Sequence, residues 1–354
     1  MTAAVLIPRS PADVTPQWLG HVLQAEVDGV DVAPIGTGQT GATYRVSARY
    51  AENSELPATF AIKLPSQDES VRERVAIGYK SEHAFYTAIA AHVDVPVPVC
   101  HYCEIANDGA DFAMLLGDMA PAEQGDQLAG CSVDEALLAV RALAGLHGPS
   151  WCDPKWADFP GISMPRANED FARGFGEVAK MATDITLEKL GDRMSAADRD
   201  TLRESMSMVY PWLMTEQTRH ALLHGDYRLD NMLFNPGRTE ITIVDWQTLG
   251  NGLPARDLAY FTGTSLVPTV RAEVDRQLVD AYFDELMRYG IGDYDRDACW
   301  RDYRLGMLQG PLLVVLGTAF ATSTERGDEM MLTMTARSCQ AIRELDSLDL
   351  ISAP

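Results

Sequence analysis

Cysteine is scarce in this chain, six in 354 residues, which is too few for a disulfide framework at this length. Cys100 and Cys103 have the spacing of half a zinc site, but the second ligand pair is missing. All six are expected to be ordinary thiols. Long apolar runs are also lacking. The strongest, Leu312 to Phe320, is about half of what a membrane span needs and reads as a buried helix. At the N-terminus only Ala3 to Ile7 is apolar, with no basic segment before it and no cleavage pattern, so no signal peptide is expected and the default location is cytoplasmic. Basic charge is outnumbered, 29 Lys and Arg against 51 Asp and Glu for a net charge of -22. Nucleic-acid phosphates demand a basic face, so no nucleic-acid partner is expected. Repeats, heptad runs and low-complexity stretches are absent too.

What is present is a globular composition, 46% hydrophobic, long enough for two lobes. After a short helix opened by Thr15 and Pro16, residues 30–64 have β character, with alternation in Tyr44-Arg45-Val46 and in Thr59-Phe60-Ala61-Ile62. Val75, Tyr79, Glu82, Tyr86 and Ile89 then recur along one stripe of a helix. Two more β runs, Val97 to Ile105 and Phe112 to Leu116, complete an antiparallel sheet carrying one helix. Past Met119 long helical patterns take over, the first opened by a capping box of Ser132 and Glu135. The fold class is α+β, with an N-terminal lobe at 1–118 and a mostly helical C-terminal lobe at 119–354. In the second lobe only two clear strands are legible, Asn231 to Phe234 and Ile241 to Val244, joined by the turn residues Asn235-Pro236-Gly237-Arg238.

That hairpin carries the chemistry. His224-Gly225-Asp226 precedes it, Asn231 opens it, and Asp245-Trp246-Gln247 ends it. The start of one antiparallel strand and the end of the next lie at the same edge, so Asp226, Asn231 and Asp245 are expected to converge. Oxygen ligands of this kind, one or two carboxylates plus phosphates, suit magnesium. In the first lobe, Glu82 on an apolar helix stripe needs a buried cation, and Lys63 is the one at hand.

His-Gly-Asp, an Asn five residues later, a short hairpin and an Asp together resemble the aminoglycoside phosphotransferase and choline kinase-like family of small-molecule kinases. Asp-Trp-Gln and Gln124-Gly125-Asp126-Gln127 resemble its ecdysteroid kinase-like branch, and Tyr227-Arg228-Leu229-Asp230-Asn231 the kinase-like domain fused to some acyl-CoA dehydrogenases. The resemblance covers residues 35–261 and implies the two-lobed protein-kinase-like fold, with ATP and Mg2+ as cofactors and the hydroxyl group of a small molecule as acceptor.

It implies Asp226 as the base, Asn231 and Asp245 as metal ligands, and Arg228 as a contact to the transferred phosphate, a surface arginine paired with Asp230 being the other reading. His224 and Asp257 are implied as structural supports. Phe60-Ala61-Ile62-Lys63 resembles the strand whose lysine meets the nucleotide phosphates, with Glu82 holding it. Gly36, Gly38 and Gly41 form a G-x-G-x-x-G followed by strand rather than helix, which suits a kinase-type glycine loop; a plain hairpin turn is the alternative. Leu115 to Met119 resembles the family's hinge, so backbone at Gly117 and Met119 is expected to meet the adenine. The acceptor is expected to enter between residues 171–190 and 303–320. A relative that binds nucleotide without turnover remains the rival reading, and oligomeric state stays open.

Overall fold

The computed structural model describes residues 6–35, 42–51 and 54–351. Gly36, Gly38 and Gly41 lie outside them. Thr15 caps the first helix, α1 (Pro16–Leu23), through its side chain, and a sheet follows: β1 (Val27–Ile35), β2 (Ala42–Tyr50), β3 (Thr59–Leu64), helix α2 (Glu69–Ala84), then β4 (Cys100–Ala106) and β5 (Asp111–Gly117). The five strands are antiparallel in the order β1-β2-β3-β5-β4. Phe60, Ile62 and Leu64 alternate inward on β3 and join Val46, Ala113, Leu115, Trp18 and Leu19 in a compact apolar cluster. The fourth strand begins at Cys100 rather than Val97, because Pro96 and Pro98 have no N–H to give a ladder. The first lobe thus carries two helices, α1 as well as α2, on its sheet.

The helical stripe of α2 passes into a π-helical turn, Phe85–Ile89. One wider turn rotates the chain so that Phe85 is buried alongside Tyr86 and Ile89.

The rest of the chain is mostly helical: β6 (Glu123–Gln124), α3 (Val133–Ser150), α4 (Glu169–Leu190), α5 (Ala196–Ser207), α6 (Val209–Thr215), β7 (Ala221–Leu223), β8 (Met232–Phe234), β9 (Ile241–Ile243), β10 (Gly250–Gly252), α7 (Ala255–Ser265), α8 (Pro268–Met287), α9 (Arg296–Gly306), α10 (Gln309–Phe320) and α11 (Glu325–Glu344). Residues 303–320, the expected acceptor wall, fall in two helices, α9 and α10, broken at Met307 and Leu308. Ser132 and Glu135 do form the reciprocal cap of α3. The apolar stretch is the interior of α10, and among the described residues no helix is long and apolar enough to cross a membrane.

Two ladders absent from the sequence reading surround the expected β8–β9 hairpin: β6 pairs with β8, and β7 pairs antiparallel with β10. Strands of two or three residues show too little alternation to be seen. They nevertheless fix both ends of the segment that carries His224 to Asn231.

Candidate active site

The segment His224-Gly225-Asp226 leaves β7 and turns sharply. Gly225 has φ +81, and a Cβ there would sit 2.2 Å from the Thr248 carbonyl oxygen, so only glycine fits. Asp257, fully buried in the first turn of α7, accepts from the His224 N–H at 2.6 Å and the Gly225 N–H at 3.1 Å. His224 is buried as well. Its Nε2 lies 3.1 Å from the Val244 carbonyl, so this nitrogen carries the proton, and Nδ1 accepts from the Asp226 N–H at 3.3 Å. The imidazole is a spacer between the loop and the strand end that carries Asp245.

Asp226 receives three side-chain donors. Tyr260 Oη donates to Oδ1 at 2.7 Å, while Arg228 Nε and Asn231 Nδ2 donate to Oδ2, each at 3.0 Å. Arg228 reaches Asp230 Oδ2 at 3.2 Å too, so it faces both carboxylates rather than Asp230 alone. Burial works against the Arg228 charge, but these carboxylates outweigh it and hold its pKa above the usual arginine value. From outside, Arg326 closes on both oxygens of Asp230 at 3.2 Å.

Asn231 donates from Nδ2 to the Asp226 carbonyl as well, at 2.8 Å, which leaves its Oδ1 without a donor among the described residues. The Val244 N–H bonds the Asn231 carbonyl at 3.0 Å, bringing Asp245 to the same edge. Asp226, Asn231 and Asp245 are therefore brought together as expected. Asp245 has φ +68, and its carboxylate keeps 40% of its surface open.

From the sheet, Lys63 Nζ meets Glu82 Oε2 at 2.7 Å and Asp245 Oδ1 at 3.3 Å, which ties the two lobes at one cation. Glu82 is 1% exposed, and burial raises its pKa while Lys63 pulls the other way. At Asp245 the same contest ends differently: surrounding protein disfavours the charge, but the Lys63 ammonium holds the carboxyl below its usual range. For Lys63 the two acids overcome burial and raise its pKa. Trp246, buried, stacks on Phe85 with ring centroids 3.5 Å apart and planes nearly parallel, so the π-helical turn after α2 is keyed to the residue beside Asp245.

The donor set fits a hard cation held jointly with phosphates. Asp245 offers a carboxylate and Asn231 an unclaimed amide oxygen. Among the described residues no group of three or more His, Cys, Asp or Glu could hold a metal alone.

Part of the hinge backbone is committed within the protein. The Gly117 N–H is taken by the Val99 carbonyl at 2.8 Å, and the Met119 carbonyl accepts from the Ala122 N–H at 2.8 Å. Of the backbone N–H groups at those two residues, that of Met119 has no backbone acceptor among the described residues. Asp118 is held by Arg45 at 2.7 Å, fixing the hinge to β2.

The sequence reading missed two supports. Tyr260 on Asp226 was not foreseen, although its place three residues after Asp257, on the same face of a helix, could have suggested it. Gln127 was noted only as part of a family-like stretch. It is fully buried, accepts from the Leu229 N–H at 2.9 Å and donates to the Thr264 carbonyl at 3.0 Å, while its own N–H bonds Asp230 Oδ1 at 3.1 Å. Gly125, in the same stretch, passes so close that a Cβ would lie 2.7 Å from the Leu229 carbonyl oxygen.

A two-lobed α+β molecule with an acid, an amide and a second acid at one hairpin edge, opposite a lysine–glutamate pair, defines a phosphotransferase class. Residues 31–298 match the model of the phosphotransferase enzyme family (APH), and the chain belongs to that family. Among solved structures it is similar to the choline kinase of Cryptosporidium parvum Iowa II (11% identity, TM-score 0.57, 91% of each chain). It is also similar to the microcompartment-associated aminopropanol kinase (18% identity, TM-score 0.54, 95% of this chain and 98% of that one). At such identities these likenesses concern the fold. The chain is 24% identical over 200 residues, 53% of its length, to acyl-CoA dehydrogenase family member 11 of Gallus gallus. That match spans 23% of the chicken protein, so the chain corresponds to under a quarter of that relative.

Proposed function

We propose that this protein transfers the γ-phosphoryl group of ATP, with magnesium, to a hydroxyl group of a small molecule, with a nucleotide lobe at 1–118 and a catalytic lobe at 119–354. The observation that carries the reading is the meeting of Asp226, Asn231 and Asp245 at one edge with Lys63 bridging Glu82 and Asp245. Family membership supplies the reaction class.

In this reading the Asp226 carboxylate accepts the proton of the acceptor hydroxyl as that oxygen attacks phosphorus. Tyr260 and Asn231 fix its orientation, and Arg228 Nε shifts from Asp226 toward the transferred phosphoryl oxygens. Lys63, aimed by Glu82, binds the nucleotide phosphates. Asn231 Oδ1 and Asp245 would hold magnesium, which when bound neutralises phosphate charge. Gly36, Gly38 and Gly41 would cover the phosphates from above, and the Met119 N–H would meet the adenine. Positioning and charge neutralisation then supply most of the rate.

The test is magnesium-dependent ATP consumption across aminoglycosides, choline-like amines, sterols and hydroxyacyl thioesters, for wild type and Asp226→Ala. Acceptor-dependent turnover that vanishes in Asp226→Ala supports the reading. Tight Mg-ATP binding with no turnover for any acceptor points instead to a nucleotide-binding relative without catalysis.

A further inference from the structure

The concave pocket with the clearest unmet chemistry is not at the catalytic loop. It lies at the other end of β7, where the loop before α4, the end of α6, β10 and the start of α7 meet, and Arg166, Arg219, His220, Asn251 and Arg256 line it. His220 precedes β7 and His224 follows it, so the two are four extended steps apart, about 13 Å.

In a chain of net charge -22, this cleft gathers three guanidiniums against the single lining carboxylate Glu216. Arg219 is neutralised by Glu216 at 2.6 Å and Asp302 at 2.7 Å. Arg166 and Arg256 have no carboxylate in ion-pair contact among the described residues. Arg166 donates to the Gln217 carbonyl. Arg256 donates to the neutral Gln309 Oε1 at 2.9 and 2.7 Å and lies 4.8 Å over the Trp212 ring. A partly desolvated guanidinium with only neutral partners is a costly arrangement unless an anion completes it. Burial lowers the Arg256 pKa to about 10, which reports the same unmet demand.

Two of the lining residues also carry a buried polar atom without a partner among the described residues: His220, 9% exposed, at Nδ1, and Asn251, 1% exposed, at Oδ1. The cleft is small and suits an ion-sized group rather than a nucleotide.

We infer that this cleft is a second binding site, for a small oxyanion of the phosphate or carboxylate type, read by Arg166, Arg256 and His220. Asn251 and Gly252 of β10 line it, and β10 pairs with β7, whose far end delivers His224, Gly225 and Asp226. An occupant would therefore brace the strands that hold the catalytic loop.

The experiment is a titration of the full chain, labelled with 13C-histidine, with inorganic phosphate and separately with acetate, each against sodium chloride at matched ionic strength. The His220 resonance is assigned by its disappearance in His220→Gln. A saturable shift of that resonance is expected with at least one oxyanion, and comparing the two arms tells tetrahedral from planar ligands. Arg166→Gln, which changes an exposed side chain, should weaken it about tenfold, and Arg256→Lys, if folded, should do likewise. In Lys63→Met with Glu82→Leu, which removes the buried pair together, the response should persist, which separates this cleft from the nucleotide site. No saturable shift, an equal shift with chloride, an undiminished response in Arg166→Gln, or loss of the response in that folded double variant would each overturn the inference.

Discussion

The two sides of the active-site edge hold their charges by opposite means. On the sheet side, a single cation, Lys63, faces the buried Glu82 and reaches across to Asp245. Gln247 Nε2 approaches Glu82 at 3.4 Å as the neutral neighbour. On the loop side, Asp226 has three side-chain donors, and Asp230 is shared among Arg228, Arg326 and the Gln127 N–H. A pair leaves an uncompensated charge when one member goes. A mesh redistributes. The nucleotide side should therefore be structurally brittle and the catalytic loop structurally forgiving, although both are chemically exacting.

The largest effect expected separates chemistry from structure on the loop side. Asp226→Asn keeps the shape and an acceptor oxygen for Tyr260 but removes the base, so turnover should fall by about a thousandfold, within the range general-base removal produces. Thermal unfolding should move little, because Arg228 keeps Asp230. A large loss of melting temperature would break the comparison.

Lys63→Met should lose both properties. Glu82 would then be a buried carboxylate without its cation, and breaking a buried pair costs about 3–5 kcal/mol. Part of that cost is avoided by protonation, since burial already raises the Glu82 pKa. A group whose folded pKa is raised favours the folded state below its unfolded pKa and loses that advantage as pH rises through the folded value. The variant should accordingly be least stable relative to wild type above neutral pH. Lys63→Met with Glu82→Leu should regain most of the stability in urea titrations while turnover stays absent. Failure of the double variant to recover would show that the pair is not the brittle element.

A smaller effect tests whether the mesh positions the base. Tyr260→Phe removes one donor from Asp226 and leaves Arg228 and Asn231 in place. A kcat about tenfold lower with KM for ATP unchanged is expected, equivalent to one hydrogen bond of about 1.4 kcal/mol. A change confined to the ATP KM would move Tyr260 out of the acceptor side.

The same contrast governs what could be read from the sequence. Features set by local periodicity or by one short motif were legible: the antiparallel sheet, the α2 stripe with Glu82 facing inward, the cap of α3, and the hairpin bringing Asp226, Asn231 and Asp245 together. Arrangements made by residues distant in the chain were not. Gln127 bonds Leu229 and Thr264 across more than a hundred positions, Arg326 reaches back to Asp230, and β6, β7 and β10 are too short to alternate. The π-helical turn was hidden because its stripe satisfies ordinary helical spacing up to Ile89. The bond from the Gly117 N–H to the Val99 carbonyl was hidden because Val99 belongs to a segment the sequence placed inside a strand.

The smallest effect lies at a mesh away from the brittle pair. At the start of α3, Glu135 Oε2 accepts from Ser132 N at 2.7 Å and Ser132 Oγ at 2.8 Å, and Oε1 meets Arg238 at 2.6 Å. Some burial opposes the charge, but Ser132 and Arg238 outweigh it and lower the Glu135 pKa from 4.5. A carboxyl with a depressed folded pKa contributes stability that is present above the unfolded value and lost as pH falls through the folded one. Glu135→Gln should thus be about 1 kcal/mol less stable than wild type in urea at pH 7. The gap should narrow below pH 4.5 and close once the wild-type carboxyl is protonated in the folded state. A gap that persists in acid would mean that the substituted amide disturbs the cap by shape rather than by charge.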